Sequence, residues 1–291
     1  MKINKTSPEV QKYLQGISNI AKPPKTLYYI GKIPENRVPT LAVVGTRKPT
    51  SYGRDITDKL VHEIASRGVV IISGLALGID AIAHKSTLNA NGTTIAVLAN
   101  SLPKISPHSN IPLAKDIIEK GGAIISEHSI DEPKPYVVNR WSFLERNRIV
   151  AGLSDAILIT EASARSGTLN TAMHALNQGK DVFVVPGNIT SPSSEGCNLL
   201  LKQGAIPVTC AQDVLDVIAP TLAKNNQQHK LPLGNTEAES AIIKQLSNGI
   251  HDAEIIQQNT KLSATDFSTA MTMLEIDGII KPLGNNHWSL H

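Results

Sequence analysis

Short, mostly apolar runs alternate with amphipathic stretches along the first 219 residues. Leu41 to Gly45 precedes a helix-period segment from Gly53 to Arg67, and Val69 to Ser73 precedes another from Ile79 to Ala90. The alternation continues through apolar runs at Thr94 to Leu98, Ala123 to Glu127, Ala156 to Glu161, Asp181 to Val185 and Ala205 to Val208. Runs this short and this apolar predict strands buried on both faces. Joined by helical crossovers, they predict an α/β fold: a parallel sheet flanked by helices, with every loop that follows a strand C-terminus on one edge. In such sheets ligands bind at that edge.

The pattern changes after residue 219. Residues 220–234 are polar with few apolar anchors and predict a linker. Residues 235–291 predict a separate small domain, with helices over Glu237 to Leu246, Ala253 to Gln258 and Ala264 to Asp277. A hairpin follows, Ile279 to Pro282 and His287 to Leu290, turning on Gly284-Asn285-Asn286. Three helices and a hairpin predict a winged helix. Residues 1–40 read as a short extension leading into a main domain at 41–219.

Composition excludes several classes. A chain of 291 residues with 41% apolar content builds one substantial core and a small second domain. No apolar run approaches the roughly 18 residues that cross a bilayer, and Met-Lys-Ile-Asn-Lys-Thr-Ser-Pro lacks the apolar core of a signal peptide. The expectation is a cytoplasmic protein with no membrane partner. Cys197 and Cys210 have no metal-ligand spacing and read as reduced core thiols, so no metal is expected. The net charge of +3 divides unevenly: residues 235–291 carry three lysines against seven carboxylates, or −4, which leaves +7 on residues 1–234. An anionic partner therefore belongs to the larger domain.

Three stretches carry the candidate chemistry. In Gly45-Thr46-Arg47-Lys48-Pro49, a glycine permits close backbone approach to a phosphate beside two cations and a helix start. Its plain alternative is a solvated loop. The stretch from Ser73 to Asp80 pairs two glycines with a helix start that Asp80 or Ser73 is placed to cap, and tight-turn geometry accounts for the glycines. The third runs from Arg146-Asn147-Arg148 through a strand to Ser166-Gly167-Thr168. Two arginines at i and i+2 of a helix face different ways, so one is a candidate for a structural pair with Glu145, Asp155 or Glu161. Ser166 and Thr168 offer hydroxyls at a helix N-terminus, suited to an anion or to capping. Lys180 opens the next strand, on the opposite edge by simple topology. Neither GxGxxG nor GxxxxGK[ST] occurs, so no nucleotide cofactor and no ATP hydrolysis are expected.

Val44-Gly45-Thr46-Arg47, Ser73 through Ala81, Ile95 to Leu98, Arg146 to Ile149 and Val185-Pro186-Gly187 occur in this order, followed by Ser191-Pro192 and Gly196-Cys197-Asn198. Over residues 27–219 the chain resembles the DNA-processing protein A (DprA/Smf) family. The resemblance implies an extended Rossmann-like fold that binds single-stranded DNA and loads RecA recombinase in natural transformation and recombination, as a homodimer and without enzymatic activity. It implies phosphate contacts for Arg47, with Arg146, Arg148 and Lys180 along the same strand and Gly45, Ser166, Gly167 and Thr168 completing the pocket. Lys180 enters only through the resemblance. Two departures stand out: the N-terminal segment is too short for the family's frequent sterile-alpha-motif-like domain, and Leu77 stands where many members have arginine.

Aromatic residues make up only 3% of the chain, so affinity is expected to rest on phosphates more than on stacked bases. Tyr52 and Trp141 are candidate stacking residues, and Phe143 reads better as core. The third helix of the tail has no lysine or arginine but carries Asp266, Glu275 and Asp277, which predicts protein contacts and little DNA affinity. Two other classes remain. A phosphoribohydrolase of the cytokinin-activating type needs a glutamate after Gly-Thr, where this chain has Asn170 and Thr171. A protein-binding adaptor would use the basic face for an acidic partner.

Overall fold

The computed structural model describes residues 2–130, 136–224, 236–284 and 286–290, and the chain divides into two compact units, Met1–Lys224 and Asn225–His291. In the first unit the strands are β1 (Asn4–Thr6), β2 (Leu27–Gly31), β3 (Thr40–Val44), β4 (Val70–Ser73), β5 (Thr94–Leu98), β6 (Ala123–Ser126), β7 (Ala156–Ile159), β8 (Asp181–Val184) and β9 (Ile206–Pro207). Its helices are α1 (Ser51–Ser66), α2 (Ile79–Asn89), α3 (Ile111–Glu119), α4 (Arg140–Leu153), α5 (Thr168–Asn177), α6 (Glu195–Lys202), α7 (Ala211–Ile218) and α8 (Pro220–Lys224).

The strands form one sheet in the order β1-β2-β6-β5-β4-β3-β7-β8-β9. All neighbours from β6 to β9 run parallel, while β2 is antiparallel to both β6 and β1. The sheet is thus mixed, with an antiparallel edge on a parallel body. Strand alternation sends Ala42, Val44, Ile157 and Ile159 to one face and Leu41, Val43, Ala156 and Leu158 to the other. The first face is covered by α4, α5 and α6. The second is covered by α1, α2 and α7, and by α3 where it overlies β5 and β6. Burial on both faces is why these strands read as unbroken apolar runs.

Strand order also locates the site. From β3 the chain steps outward through β4, β5 and β6, then returns beside β3 as β7 and steps the other way through β8 and β9. The β3/β7 junction is therefore the topological switch point, where diverging crossovers open a crevice beyond the strand C-termini.

Two boundaries and one cysteine differ from expectation. Residues 1–40 are part of the main unit: β1 and β2 extend its sheet, and Tyr13, Leu14 and Ile17 are fully buried in its core. Tyr13 also hydrogen-bonds Thr40 at 3.0 Å, a tie that an alternating-pattern reading of a short segment does not reveal. Pro220–Lys224, expected as linker, forms α8; the rest of that stretch, and residue 235, lie outside the described residues. Cys197 is buried, its thiol pushed up to about 11 by desolvation, whereas Cys210 is exposed rather than core.

The second unit contains α9 (Glu237–Ser247), α10 (Ala253–Thr260), α11 (Ala264–Ile276) and the antiparallel pair β10 (Ile280–Gly284) and β11 (His287–Leu290). Ile242, Ile256, Phe267, Met271 and Leu274 form its own core. Met273 and Ile276 of α11 are exposed. Asn285 of the turn lies outside the described residues. Among the described residues no helix is long and apolar enough to cross a membrane, and no group of three His, Cys, Asp or Glu side chains could hold a metal.

One buried group makes stability depend on pH. His84 is fully buried on α2, with Nδ1 2.6 Å from Thr94 Oγ1. The Thr94 hydroxyl donates to Ile71 O, so Nδ1 is the imidazole's donor and Nε2 is left without a partner. Desolvation, aided by the Arg146 charge, pushes its pKa down to about 3. The unfolded chain, with a histidine pKa near about 6.5, then binds the proton first. The contribution is complete above that value and lost as pH falls toward about 3, at up to about 1.4 kcal/mol per pH unit. Urea melts of wild type and His84→Leu across this range should show a flatter acid limb in the variant.

Candidate nucleic-acid interface

A cleft of about 650 Å³ opens at the switch point. Its walls are the loop after β3 (Gly45, Thr46, Arg47, Lys48), the loop after β4 (Gly74, Ala76, Asp80), one face of α4 (Arg140, Phe143, Arg146, Asn147) and the start of α5 (Ser166, Gly167, Thr168). Four distant stretches of sequence converge because parallel strands deliver all their following loops to one edge.

The loop after β3 is stapled from both sides. Thr46 donates its N–H to Glu161 O at 2.8 Å and accepts the N–H of Ile79 at 3.1 Å. Gly45 lies so close to Ile79 and Glu161 O that a Cβ would collide with both. Glu161 is buried, and its carboxylate accepts the Thr50 N–H at 2.8 Å and the Thr50 hydroxyl at 2.7 Å, which locks the start of α1. Glu161, a candidate ion-pair partner for one of the α4 arginines, is engaged by Thr50 instead. This anchoring presents Arg47 and Lys48 as exposed cations on a fixed ridge. The Arg47 guanidinium stands 5.7 Å from the centroid of the Phe143 ring, a cation–π contact that holds it over the cleft. Phe143 is thus a half-buried wall residue, not core.

Arg146 forms the floor. It is 8% exposed, and its Nη1 donates to Gly74 O at 3.1 Å and to Val97 O. The guanidinium occupies the space that any Gly74 side chain would need, so this glycine answers to packing and not to a turn. Asp80 supplies the countercharge, and its carboxylate accepts the N–H groups of Gly74 (3.1 Å) and Ala76 (3.3 Å). Burial pushes the Asp80 pKa up, while Arg146 and these amides pull it down. Burial likewise lowers Arg146 to about 10, leaving it cationic at neutral pH. Asp80 and Ser73 do not cap α2: its N-cap is Gly78 at φ 78°, and Ser73 Oγ donates to Val43 O at 2.7 Å.

At the start of α5, Ser166 Oγ accepts the Thr168 N–H at 3.1 Å and donates to Thr168 Oγ1 at 2.8 Å. The two hydroxyls therefore brace the turn, with Gly167 exposed between them. The positive end of the α5 dipole faces the same cleft as the cations. Among the described residues lining it, Asp80 is the only carboxylate, and it is engaged.

Six of the eight residues singled out from sequence meet here: Gly45, Arg47, Arg146, Ser166, Gly167 and Thr168. Arg148 and Lys180 are not among them. Arg148 points away from Arg146, makes a two-pronged ion pair with Glu127 at 2.6 and 2.7 Å, and donates to Lys22 O. Glu127 was not among the partners foreseen; it stands just past the end of β6, the strand that immediately precedes α4. Lys180 lies at the opposite edge, where Nζ donates to Ala151 O, Gly152 O and Ser154 O and caps the C-terminus of α4. Burial lowers its pKa to about 8. Both side chains serve stability. Lys180→Met is expected to lower unfolding free energy by about 1.5–3 kcal/mol, the worth of hydrogen bonds from a charged donor, while single-strand affinity stays within about twofold. A denaturant melt paired with a binding titration checks it. Lys48 was read beside Arg47 as a cation of this loop and lies in the cleft; Arg140, the further cation among the described lining residues, was not singled out from sequence.

The family described as DNA recombination-mediator protein A matches residues 5–219. Protein Smf of Escherichia coli is 46% identical over 193 residues, which cover 66% of this chain and half the length of that relative. Among solved structures, DNA processing protein A from Streptococcus pneumoniae superposes with a TM-score of 0.66 at 36% identity, covering 75% of each chain. The Helicobacter pylori protein, which has a unique single-stranded DNA binding mode, gives 0.65 at 32% identity and covers 77% of this chain and 97% of its own. With the matched span containing every loop of the cleft, the chain belongs to the DNA recombination-mediator protein A family.

Proposed function

We propose that the switch-point cleft grips the backbone of single-stranded DNA without reading its sequence, and that the protein mediates recombination by holding that strand for a RecA-type recombinase, as a homodimer. One observation carries the reading: Arg47, Lys48 and Arg140 stand exposed above a buried cationic floor at Arg146, beside a helix N-terminus, with no unengaged carboxylate among the described residues that line the cleft. Such a surface attracts repeating phosphates and offers little that distinguishes one base from another. Its kinship to the Helicobacter pylori protein supports the ligand; the recombinase and the dimer are carried from the family resemblance.

The reading is non-catalytic. Asn170 and Thr171 occupy the place of a hydrolase's carboxylate, Asp80 is held by two amides and Arg146, and Glu161 is held by Thr50. Cytoplasmic residence and a protein-contacting role for the acidic second unit, whose α11 has no cation, belong to the same proposal. Fluorescence anisotropy with labelled single- and double-stranded oligonucleotides across a salt series tests the main claim. Three to four neutralised phosphates give a log–log slope of roughly −2 to −3 on single strands. Affinity indifferent to salt, or absent for single strands, would overturn the proposal in favour of an adaptor.

A further inference from the structure

The same sheet edge holds a second cleft, of about 460 Å³, on the far side of the Arg47–Lys48 ridge. One wall is the start of α1, with Thr50 and Tyr52; the other is the loop after β8, from Pro186 to Ser194. This loop contains motifs that the first cleft does not use, and it is built to be rigid. The Asn198 amide accepts the Gly187 N–H at 3.3 Å and donates to Gly187 O at 3.1 Å. A Cβ on Gly187 would strike the Ser194 side chain, and Gly196 donates its N–H to Ala162 O at 2.9 Å. Tyr52 is 51% exposed, yet its hydroxyl donates to Pro186 O at 3.1 Å, so a flat apolar ring is held in a fixed plane at the mouth.

We propose that this cleft is a nucleobase subsite, in which the base next to a phosphate held by Arg47 and Lys48 stacks on Tyr52. The proposal rests on the single-strand reading above and deepens it. The cleft volume falls within the roughly 300–1,000 Å³ typical of small-ligand sites. Its floor carries the Glu161 carboxylate, which repels a phosphate and tolerates an uncharged base. Asn188 Oδ1 accepts from the N–H and hydroxyl of Thr190, which leaves its Nδ2 donors without a partner among the described residues and suited to a base-edge acceptor. Adjacent strands are roughly 5 Å apart, so crevices above β3/β7 and β7/β8 lie within the reach of one or two nucleotides.

The test is anisotropy of the full chain with a labelled oligothymidylate and with an abasic strand of equal length. Tyr52→Ala is expected to weaken thymidylate binding about five- to 150-fold, the range of one lost base stack, and to leave abasic binding within about twofold. Tyr52→Phe, which keeps the ring, should stay within about twofold on both, and neither variant should change the salt slope. If Tyr52→Ala binds thymidylate as wild type does, or loses equally on both strands, the subsite is refuted. So it is if Tyr52→Phe loses as much as Tyr52→Ala. Asn188→Ala serves where thermal melts show Tyr52→Ala unfolded, and must weaken thymidylate alone. Failure of wild type to bind either strand would instead refute the single-strand reading itself.

Discussion

Replacing Arg146 with alanine should destabilise the first unit by about 3–5 kcal/mol, the usual consequence of stranding a buried partner charge. The guanidinium is 8% exposed, bonded to Gly74 O and Val97 O, and its loss leaves the Asp80 carboxylate buried with uncharged donors and no countercharge from Arg146. Burial already raises the Asp80 pKa, so without Arg146 the carboxyl should be protonated at higher pH still. Urea melts at several pH values check both statements: the variant's deficit should shrink as pH falls and Asp80 neutralises. Arg146→Lys should recover only part of the loss, since an ammonium is shorter and lacks the planar fork that reaches two carbonyls. An alanine variant as stable as wild type would show that the floor of the cleft is not held this way.

Arg47→Ala should act on affinity and leave the fold alone. The side chain is exposed on a ridge stapled by backbone contacts of Thr46, and its guanidinium lies over the Phe143 ring. Losing a charge-assisted phosphate contact costs about 1.5–3 kcal/mol, or roughly tenfold to 150-fold in the dissociation constant. The salt slope should become shallower by about 0.7, because one fewer counterion is released. Arg47→Lys should restore the slope but not the whole affinity, as charge returns without bidentate geometry. Titrations of the three proteins against one oligonucleotide at three or more salt concentrations separate these outcomes. A full-affinity Arg47→Ala protein would move the binding surface off this cleft.

Strands β3 to β8 were legible within a residue or two because burial on both faces leaves an unbroken apolar run. Strands β1 and β2 were not: β1 is three residues long with none buried, and β2 mixes buried with half-buried positions, so neither presents an unbroken apolar run. Arg47 was legible as a loop cation after the first parallel strand, where the edge rule places ligands. Phe143 was not legible as a wall residue, since an aromatic at helical spacing looks the same in a core and in a cleft.

Taken alone, the sequence determined the parallel α/β body, the edge that gathers the candidate loops, the excess positive charge of the larger unit and the absence of hydrolase carboxylates at Asn170 and Thr171. Only the tertiary structure decided which cation faces which way. Arg146 and Arg148 are two residues apart on one helix, and a turn of roughly 200° between them sends one to the cleft floor and the other to Glu127. Lys180 was drawn to the strand-binding track by resemblance, and the fold spends its ammonium on the end of α4 at the opposite edge. A local pattern carries charge and periodicity; the partner that claims a charge is chosen by strands distant in sequence, and their order across the sheet is not written in any local pattern.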